Sequence, residues 1–203
     1  MQTIAIAHSK GGVGKSLLTL NLAPLFENVL IIDLDTQNSS TNINAARKER
    51  HMVKTATNKD QFFSLLDQYE NTHDILIDCG GVDSDMNRLA ISNSDIVITP
   101  LKDNSFEILA FIRFLEVIKN IQRVSEVKAY ALINNAHSQT KDFSRLEYMT
   151  RENDSITLLK TIIRSRADLS NLLEYGTTAV ESKPTSKAAQ EITNLYQEIR
   201  SLQ

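Results

Sequence analysis

Five short apolar segments, separated by longer stretches of helical periodicity, constrain the fold of this chain more than any other feature. Each is rich in Ile, Val and Leu and lacks the polar–apolar alternation of a strand that has one face in water. Such segments are typical of parallel strands that are covered by helices on both faces. The segments are Thr3–Ala7, Val29–Asp33, Ile75–Asp78, Ile96–Thr99 and Ala129–Ile133, with a weaker sixth at Thr157–Thr161.

Segments of helical pattern fill the intervals between these strands. The alternation indicates an α/β fold, here a doubly wound, mainly parallel sheet with helices on both faces. No linker-like or repetitive segment interrupts the pattern, so a single domain is predicted over residues 1–203. The helices are predicted at Lys15–Phe26, Thr41–Glu49, Lys59–Gln68, Ser84–Ser92, Phe106–Gln122, Lys141–Glu152, Ala167–Leu173 and Ser186–Leu202.

Composition excludes several classes of protein. The single cysteine, Cys79, rules out a disulfide framework and a multi-cysteine metal centre within one chain. The formal net charge of −3 is unlike that of a generally basic nucleic-acid-binding protein, so any DNA contact must come from a local patch. The sequence has neither a signal-peptide pattern nor an apolar run of the ~20 residues that span a bilayer. We therefore expect a cytoplasmic protein that does not enter a membrane.

A glycine-rich loop follows the first predicted strand and precedes the first predicted helix, which is the context of a phosphate-binding P-loop. Its sequence is Ser9-Lys10-Gly11-Gly12-Val13-Gly14-Lys15-Ser16. Glycines allow consecutive backbone N–H groups to form an anion-binding nest, and the helix N-terminus adds partial positive charge. Lys15 is expected to reach the β- and γ-phosphates, and Ser16 to bind Mg²⁺. The predicted nucleotide-binding residues of this segment are Gly11, Gly12, Val13, Gly14, Lys15, Ser16 and Leu17.

This loop departs from the common Gly-x-x-x-x-Gly-Lys-[Ser/Thr] pattern at its first position, where Ser9 stands. A second lysine, Lys10, lies five positions before Lys15. The segment resembles the deviant Walker A motif of the ParA/MinD family of P-loop ATPases. The resemblance implies ATP and Mg²⁺ as cofactors and a homodimer in the ATP state, in which Lys10 reaches the phosphates of the partner. Hydrolysis would then be slow and dimer-dependent, with Lys10 and Lys15 as catalytic residues.

Carboxylates end the second and third strands. Asp33 and Asp35 are two residues apart and therefore project to the same side of an extended segment. The resemblance assigns Asp35 to orienting the attacking water and Asp33 to the surroundings of the magnesium ion. Asp78 closes an apolar run in a Walker B pattern, which predicts that it holds Mg²⁺ through a water molecule. Thr36 stands where the family has proline.

Three further segments follow strands in the predicted sheet. Gly81–Ser84 resembles the Gly-x-Asp-Ser sequence of small, ParF-like plasmid-partition proteins and is a candidate switch, because Gly81 tolerates backbone changes. Asn104 and Ser105 are candidate caps of a helix with an apolar face that is either core or interface. The residues of this face are Ile108, Phe111, Ile112, Leu115 and Ile118.

The guanine-reading Asn-Lys-x-Asp pattern is absent after the fifth strand, which favours ATP over GTP. The resemblance assigns the adenine contact to Asn134, with Asn135 as the alternative.

The resemblance extends over about residues 2–200 and includes the late segments Thr161–Arg166 and Tyr175–Val180. ParA proteins bind DNA without sequence preference through basic residues that the dimer displays, since contacts to phosphate carry no sequence information. The chain has no room before Lys10 for the helix-turn-helix of larger ParA proteins, so operator-specific binding is not expected. Candidate DNA-binding residues are Arg164, Arg166, Lys183 and Lys187, with a second cluster at Arg47, Lys48, Arg50 and Lys54.

We interpret the sequence as an ATP-dependent dimerising switch of plasmid or DNA partition. It would bind nucleoid DNA non-specifically, and a centromere-binding, ParB-like adaptor would stimulate hydrolysis. The alternatives are a MinD-like regulator that cycles on a membrane and a ParA-like protein that positions a non-DNA cargo. Against the first, the last predicted helix carries balanced charges rather than excess Lys and Arg, which favours docking onto the core of the domain. Cluster carriers and dethiobiotin-synthetase-like enzymes fit less well, because of the single cysteine and the Lys10 motif.

Overall fold

The computed structural model describes residues 1–102 and 104–202, and in these residues seven strands form one parallel sheet. The order across the sheet is β3-β2-β4-β1-β5-β6-β7, and neighbouring strands are parallel throughout. This confirms the predicted doubly wound α/β architecture. The strands are β1 (Thr3–Ile6), β2 (Val29–Asp33), β3 (Met52–Thr55), β4 (Asp74–Asp78), β5 (Ile96–Leu101), β6 (Lys128–Ala136) and β7 (Thr157–Arg164).

Helices cover both faces of this sheet. The first predicted helix ends early, at Leu22, and continues as a short 3-10 turn over Ala23–Leu25, where Pro24 has no N–H to extend the α-helical hydrogen bonds. Within the described residues no helix has both the length and the apolarity needed to cross a bilayer. The helices are α1 (Lys15–Leu22), α2 (Ser39–Ala45), α3 (Lys59–Tyr69), α4 (Asp85–Ser92), α5 (Ser105–Gln122), α6 (Ser144–Arg151), α7 (Ala167–Glu174), α8 (Ala179–Ser182) and α9 (Lys187–Arg200).

Two of these elements were not predicted, β3 and α8. The strand β3 lies at the edge of the sheet and exposes most of its four residues, so it lacks the apolar run of a buried strand. The helix α8 has only four residues and begins with a capping box formed by Thr178 and Glu181. The weak sixth strand is β7, which extends three residues beyond its predicted end. Helix α2 begins two residues earlier than predicted and ends four residues earlier.

The apolar core lies in two layers, one on each face of the sheet. In β1, Ala5 packs into one layer, whereas Ile4 and Ile6 pack into the other. A strand that is buried in this way has no polar face, which explains the continuous apolar segments of the sequence. Helix α5 contributes Phe111, Leu115 and Ile118 to the core, but Leu109 and Ile112 on the same helix remain exposed. Cys79 is fully buried, as expected of a packing residue.

Helix α9 packs against β7 and α1 through a face that is almost completely buried, which confirms its predicted docking onto the core. Two carboxylates of α9 also cap the free edge of the sheet. Glu198 accepts hydrogen bonds from the backbone N–H groups of Lys160 and Thr161, at 2.7 and 2.9 Å. Glu191 accepts one from the N–H of Arg164, at 2.9 Å. These contacts satisfy donors that an edge strand otherwise leaves open to another chain.

We expect Glu198→Ala to lower the free energy of unfolding by about 1–2 kcal/mol, because two backbone donors lose a charged acceptor. Urea denaturation measures this loss. Gln197→Ala is the matched control, since Gln197 is exposed on the same turn, and it should change stability by less than about 0.5 kcal/mol. Equal losses in the two variants would contradict a capping role for Glu198.

Candidate functional site

The glycine-rich loop between β1 and α1 encloses a buried positive charge. Gly12 and Gly14 have φ angles of 75° and 101°, which allow the loop to curl back before α1 begins at Lys15. Lys15 is 5% exposed, and its Nζ donates to the carbonyl oxygen of Lys10 at 3.0 Å. Burial lowers the pKa of Lys15, and the negative charge of Asp78 opposes that change. A buried ammonium group in a concave loop is complementary to an anion.

Two cavities flank this loop. The first has a volume of about 640 Å³ and is bounded by the glycines, by the segment that follows β2, and by the loop between β4 and α4. The second has a volume of about 430 Å³ and lies between the glycine loop, the last residues of β6, and the end of β7 with the segment that follows it. The glycine loop thus separates a cavity that contains Asp35 from one that contains Asn134 and Asn135. A phosphate chain on the loop could extend into both.

Asp78, at the end of β4, has the properties of a cation ligand. It is fully buried, and its Oδ2 accepts a hydrogen bond from the Ser40 hydroxyl at 2.6 Å. Among the described residues, its Oδ1 has no hydrogen-bond partner. Burial raises the pKa of Asp78 to about 6, although the hydroxyls of Ser16 and Ser40 act in the opposite direction. Ser16 and Asp78 therefore fit a Mg²⁺ ion, which would neutralise charge on a bound phosphate.

Asp33, which the resemblance assigns to the surroundings of magnesium, accepts three hydrogen bonds within the domain. Its Oδ1 accepts from the backbone N–H of Asp35 at 3.1 Å, and its Oδ2 accepts from the N–H and the hydroxyl of Thr41 at 2.9 and 2.8 Å. Both oxygens thus help to shape the turn into α2, and the place of Asp33 near magnesium stays a prediction. Asp35 itself lines the first cavity, where its Oδ1 accepts from the N–H of Gln37.

The second lysine of the motif points away from both cavities. The Nζ of Lys10 donates to Oε1 of Glu107 in α5 at 2.7 Å. Glu107 is 6% exposed, and its other oxygen has no hydrogen-bond partner among residues 1–102 and 104–202. In the sequence, Glu107 is only one residue in the first turn of a helix for which Asn104 is a candidate cap. Asn104 does cap α5, because its side chain accepts a hydrogen bond from the Glu107 N–H at 3.0 Å. Asp103, beside the cap, lies outside the described residues.

His8 holds the backbone of Lys10 from the other side. Its Nδ1 accepts from the N–H of Lys10 at 3.0 Å, and its ring stacks on Phe114 with 5.5 Å between ring centroids. Burial, reinforced by the charges of Lys15 and Lys10, lowers the pKa of His8 to about 4. The imidazole is therefore neutral at physiological pH and remains an acceptor.

Asn134 fixes the glycine loop from β6. Its Nδ2 donates to the carbonyl oxygen of Val13 at 2.8 Å, and its side chain is buried. Asn135 has a left-handed φ of 54° and is exposed, and both residues line the second cavity. The structure thus places the two candidate adenine-contacting residues at the same cavity, with the side-chain amide of Asn134 already bound to the loop.

Three of the four basic residues expected to contact DNA have partners inside the domain. Arg164 donates to the carbonyl oxygens of His137 and Thr140 at 2.9 and 2.6 Å. Arg166 forms an ion pair with Glu191, and Lys183 forms one with Asp168 at 2.8 Å. Lys187 is exposed at the start of α9. In the second cluster, Arg47 is buried and paired with Glu181, which leaves Lys48, Arg50 and Lys54 on the surface.

Comparison with known proteins agrees with this geometry. A family model described as the CobQ/CobB/MinD/ParA nucleotide-binding domain matches residues 4–179. A curated relative, the maintenance of carboxysome distribution protein A of Halothiobacillus neapolitanus, is 23% identical over 206 residues, which cover 97% of this chain and 95% of the relative.

Solved structures show the same fold. Apo McdA of Cyanothece superposes with a TM-score of 0.79 and 14% identity, over 98% of this chain and 99% of that one. A plasmid-partition protein of Borrelia burgdorferi bound to AMPPNP superposes with a TM-score of 0.70 and 18% identity, over 98% of each chain.

The raised pKa of Asp78 predicts a pH-dependent effect of Asp78→Asn on stability. Ionised Asp78 destabilises the folded state, and this cost grows as the pH rises from 3.8 to about 6 and is constant above that. Without metal or nucleotide, Asp78→Asn should therefore be more stable than the wild type at pH 7.5, by about 1–3 kcal/mol. The difference should be smaller at pH 5.

Chemical denaturation in EDTA at the two pH values measures this difference. The opposite dependence that His8 contributes is common to both proteins and cancels. Asp67→Asn, at an exposed position of α3, is the control and should show no such trend. A difference that is absent at pH 7.5, or that grows toward pH 5, contradicts the assignment.

Proposed function

The chain belongs to the CobQ/CobB/MinD/ParA family of nucleotide-binding domains, and from this premise we propose that it is a ParA-type ATPase of DNA partition. Mg²⁺–ATP would close a homodimer, the dimer would bind nucleoid DNA without sequence preference, and hydrolysis would release it. A centromere-binding, ParB-like adaptor would stimulate the hydrolysis. Lys15 and the loop N–H groups would bind the phosphates, Asp35 would orient water, and Ser16 and Asp78 would hold Mg²⁺.

The observation that carries this proposal is the position of Lys10. Neither cavity beside the glycine loop is lined by Lys10, so its ammonium group does not face the nucleotide site of its own subunit. The side chain is 39% exposed and is held by Glu107. A partly exposed lysine beside the phosphate loop would be able to act on a second subunit once it leaves Glu107. A positive charge supplied in trans would stabilise the transferring phosphoryl group and would make hydrolysis depend on dimerisation.

The switch is tested by measuring DNA binding of the wild type and Lys10→Ala with ATP, ADP and no nucleotide. The wild type should bind random-sequence DNA only with Mg²⁺–ATP, and more weakly as salt rises. Lys10→Ala should lose dimerisation and DNA binding, whereas Lys59→Ala, at an exposed position of α3, should keep both. If wild-type binding to DNA is indifferent to nucleotide, the proposed switch is wrong.

Glu107 should oppose dimerisation, because Lys10 must exchange a buried carboxylate for phosphates of the partner. Glu107→Gln keeps the side-chain shape but removes the charge. We expect it to lower the ATP concentration needed for dimers and to raise turnover without partner by about 3- to 10-fold, the scale of a charge-assisted hydrogen bond between a buried and a partly exposed group. Light scattering and phosphate release measure the two effects.

Glu116→Gln is the matched control for this variant, because Glu116 lies on the exposed side of α5 and pairs with the neighbouring Lys119 at 3.3 Å. It should behave like the wild type. Unchanged dimerisation in Glu107→Gln, with a normal thermal melting curve, would show that the Lys10–Glu107 pair does not limit closure.

The basic residues that we propose for DNA binding differ in whether they already have partners inside the domain. Lys187 and the exposed cluster of Lys48, Arg50 and Lys54 have charges that are available in the monomer. Arg164, Arg166 and Lys183 would have to give up partners inside the domain, at a cost in free energy. We therefore propose that the exposed residues make the first contacts with DNA phosphates, namely Lys187, Lys48, Arg50 and Lys54. The paired residues Arg164, Arg166 and Lys183 would contribute only if the dimer rearranges this region.

A second candidate function is the positioning of a protein cargo. It is supported by the curated relative named for carboxysome distribution, which matches nearly the full length of both chains. In our proposal both functions would use an ATP-dependent dimer on DNA and would differ in the adaptor. A basic DNA-binding adaptor encoded beside this chain would favour partition, whereas an adaptor without DNA-binding activity would favour a protein cargo.

A further inference from the structure

The loop between β4 and α4, residues 79–84, lies directly against the phosphate loop. A Cβ atom on Gly81 would be 2.8 Å from Cα and 2.9 Å from N of Gly11. Gly81 is not among the described residues with positive φ. In this conformation the glycine is therefore required for the close approach, and its role in a switch stays a prediction.

On its other side the same loop touches the segment that carries Asp35. A Cβ atom on Gly80 would be 3.6 Å from the carbonyl oxygen of Leu34 and 3.7 Å from Cα of Asp35. The two glycines thus fill the space between the phosphate loop and the carboxylate that lines the first cavity. Their position sets the separation of these two parts of the site.

Asn87, in the first turn of α4, holds this loop through three hydrogen bonds. Its Oδ1 accepts from the N–H of Gly80 at 3.1 Å, and its Nδ2 donates to the carbonyl oxygen of Gly80 at 3.1 Å and to that of Val82 at 2.6 Å. Asn87 is 7% exposed and lines the first cavity. A buried amide with both hydrogens and its oxygen engaged fixes the backbone strongly, because losing one contact leaves a desolvated polar group.

The remainder of the loop is tied to the same helix. Ser84 caps α4 by accepting from the N–H of Asn87 at 3.2 Å. Asp83 accepts two hydrogen bonds from the guanidinium of Arg88, at 2.8 and 2.6 Å, but this pair is exposed to solvent. Asn87 is thus the buried member of the set and the one that reaches the glycines.

We propose that Asn87 is a positioning residue for hydrolysis in this site, an inference that rests on the proposed ATPase function. By holding Gly80 and Gly81 between the phosphate loop and Asp35, it fixes the distance over which Asp35 must direct water at the terminal phosphate. Loss of this contact affects the geometry of the reaction more than the binding of the nucleotide, which depends on Lys15 and the glycine-loop N–H groups.

The test compares Asn87→Ala and Asn87→Asp with the wild type and with Asn93→Ala. Asn93 is the matched control, because it is an exposed asparagine at the other end of α4 whose side chain contacts Leu89 and Ser92 and not the loop. The Asn87→Asp substitution keeps the size of the side chain and the acceptor for the Gly80 N–H, but the new carboxylate would face two carbonyl oxygens. Both substitutions of Asn87 therefore remove the donation to Gly80 and Val82.

We expect Asn87→Ala and Asn87→Asp to lower the single-turnover rate of prebound Mg²⁺–ATP by about 10- to 100-fold, the scale of a misplacement near 1 Å. The Kd for Mg²⁺–ATP should change by less than about 3-fold, since the direction of water by Asp35 acts in the transition state and contributes little to binding of the nucleotide in the ground state. Backbone amides of residues 79–84 should exchange hydrogen faster in both variants. Asn93→Ala should match the wild type in all three measurements.

Rates that equal the wild type, or a Kd that weakens in proportion to the rate, would overturn the positioning role. If Asn87→Ala does not fold, the nearly isosteric Asn87→Asp decides the outcome. Failure of the proposed ATPase function would give a different result. If the wild-type protein binds Mg²⁺–ATP but does not hydrolyse it, the ATPase function is rejected whatever the variants do. In that case, unaltered exchange of residues 79–84 in the variants still rejects the role of Asn87.

Discussion

The site depends on one buried positive charge, that of Lys15, beside one buried negative charge, that of Asp78. The two charges lie at the carboxyl ends of central strands of the sheet. Ile6, near the end of β1, is in register with Asp78 at the end of β4, so the strand pairing brings the glycine loop and the carboxylate together. Burial lowers the pKa of the Lys15 ammonium and raises that of Asp78. The charged form of each group is therefore less stable here than in water. A phosphate chain with Mg²⁺ stabilises both charges, since the anion meets the lysine and the cation meets the carboxylate.

The sequence alone was sufficient to predict the architecture and the residues that lie at the ends of the strands. A parallel sheet buries both faces of its strands, so the strands stand out in the sequence as apolar runs. The carboxyl ends of these strands lie on one side of the sheet and bring together Lys15, Asp35, Asp78 and Asn134. The unpredicted strand, β3, is the edge strand that lacks such a run. The helix bounds differ where a local contact decides them, as at α2, whose first turn is fixed by Asp33.

The remaining parts of the site were not predictable, because their partners are distant in sequence or their local signals have simpler meanings. Glu107 reaches Lys10 across 97 positions, and Ser40 reaches Asp78 across 38. Asn87 lies only seven residues from Gly80, yet in the sequence it is one more polar residue in a helical first turn. Charge was equally ambiguous, since Arg47 is basic in sequence but buried against Glu181 in the fold.

Two helices outside the glycine loop hold adjacent residues of it, Lys10 and Gly11. Helix α5 does so through Glu107, and α4 does so through the loop that Asn87 holds against Gly11. These helices pack against each other, so a nucleotide that displaces either contact also acts on the other helix. The outer side of α5 exposes the apolar side chains of Leu109 and Ile112. Because coupling between two binding events is reciprocal, a partner that bound there and changed the affinity for the nucleotide would have its own affinity changed by the same free energy when the nucleotide binds.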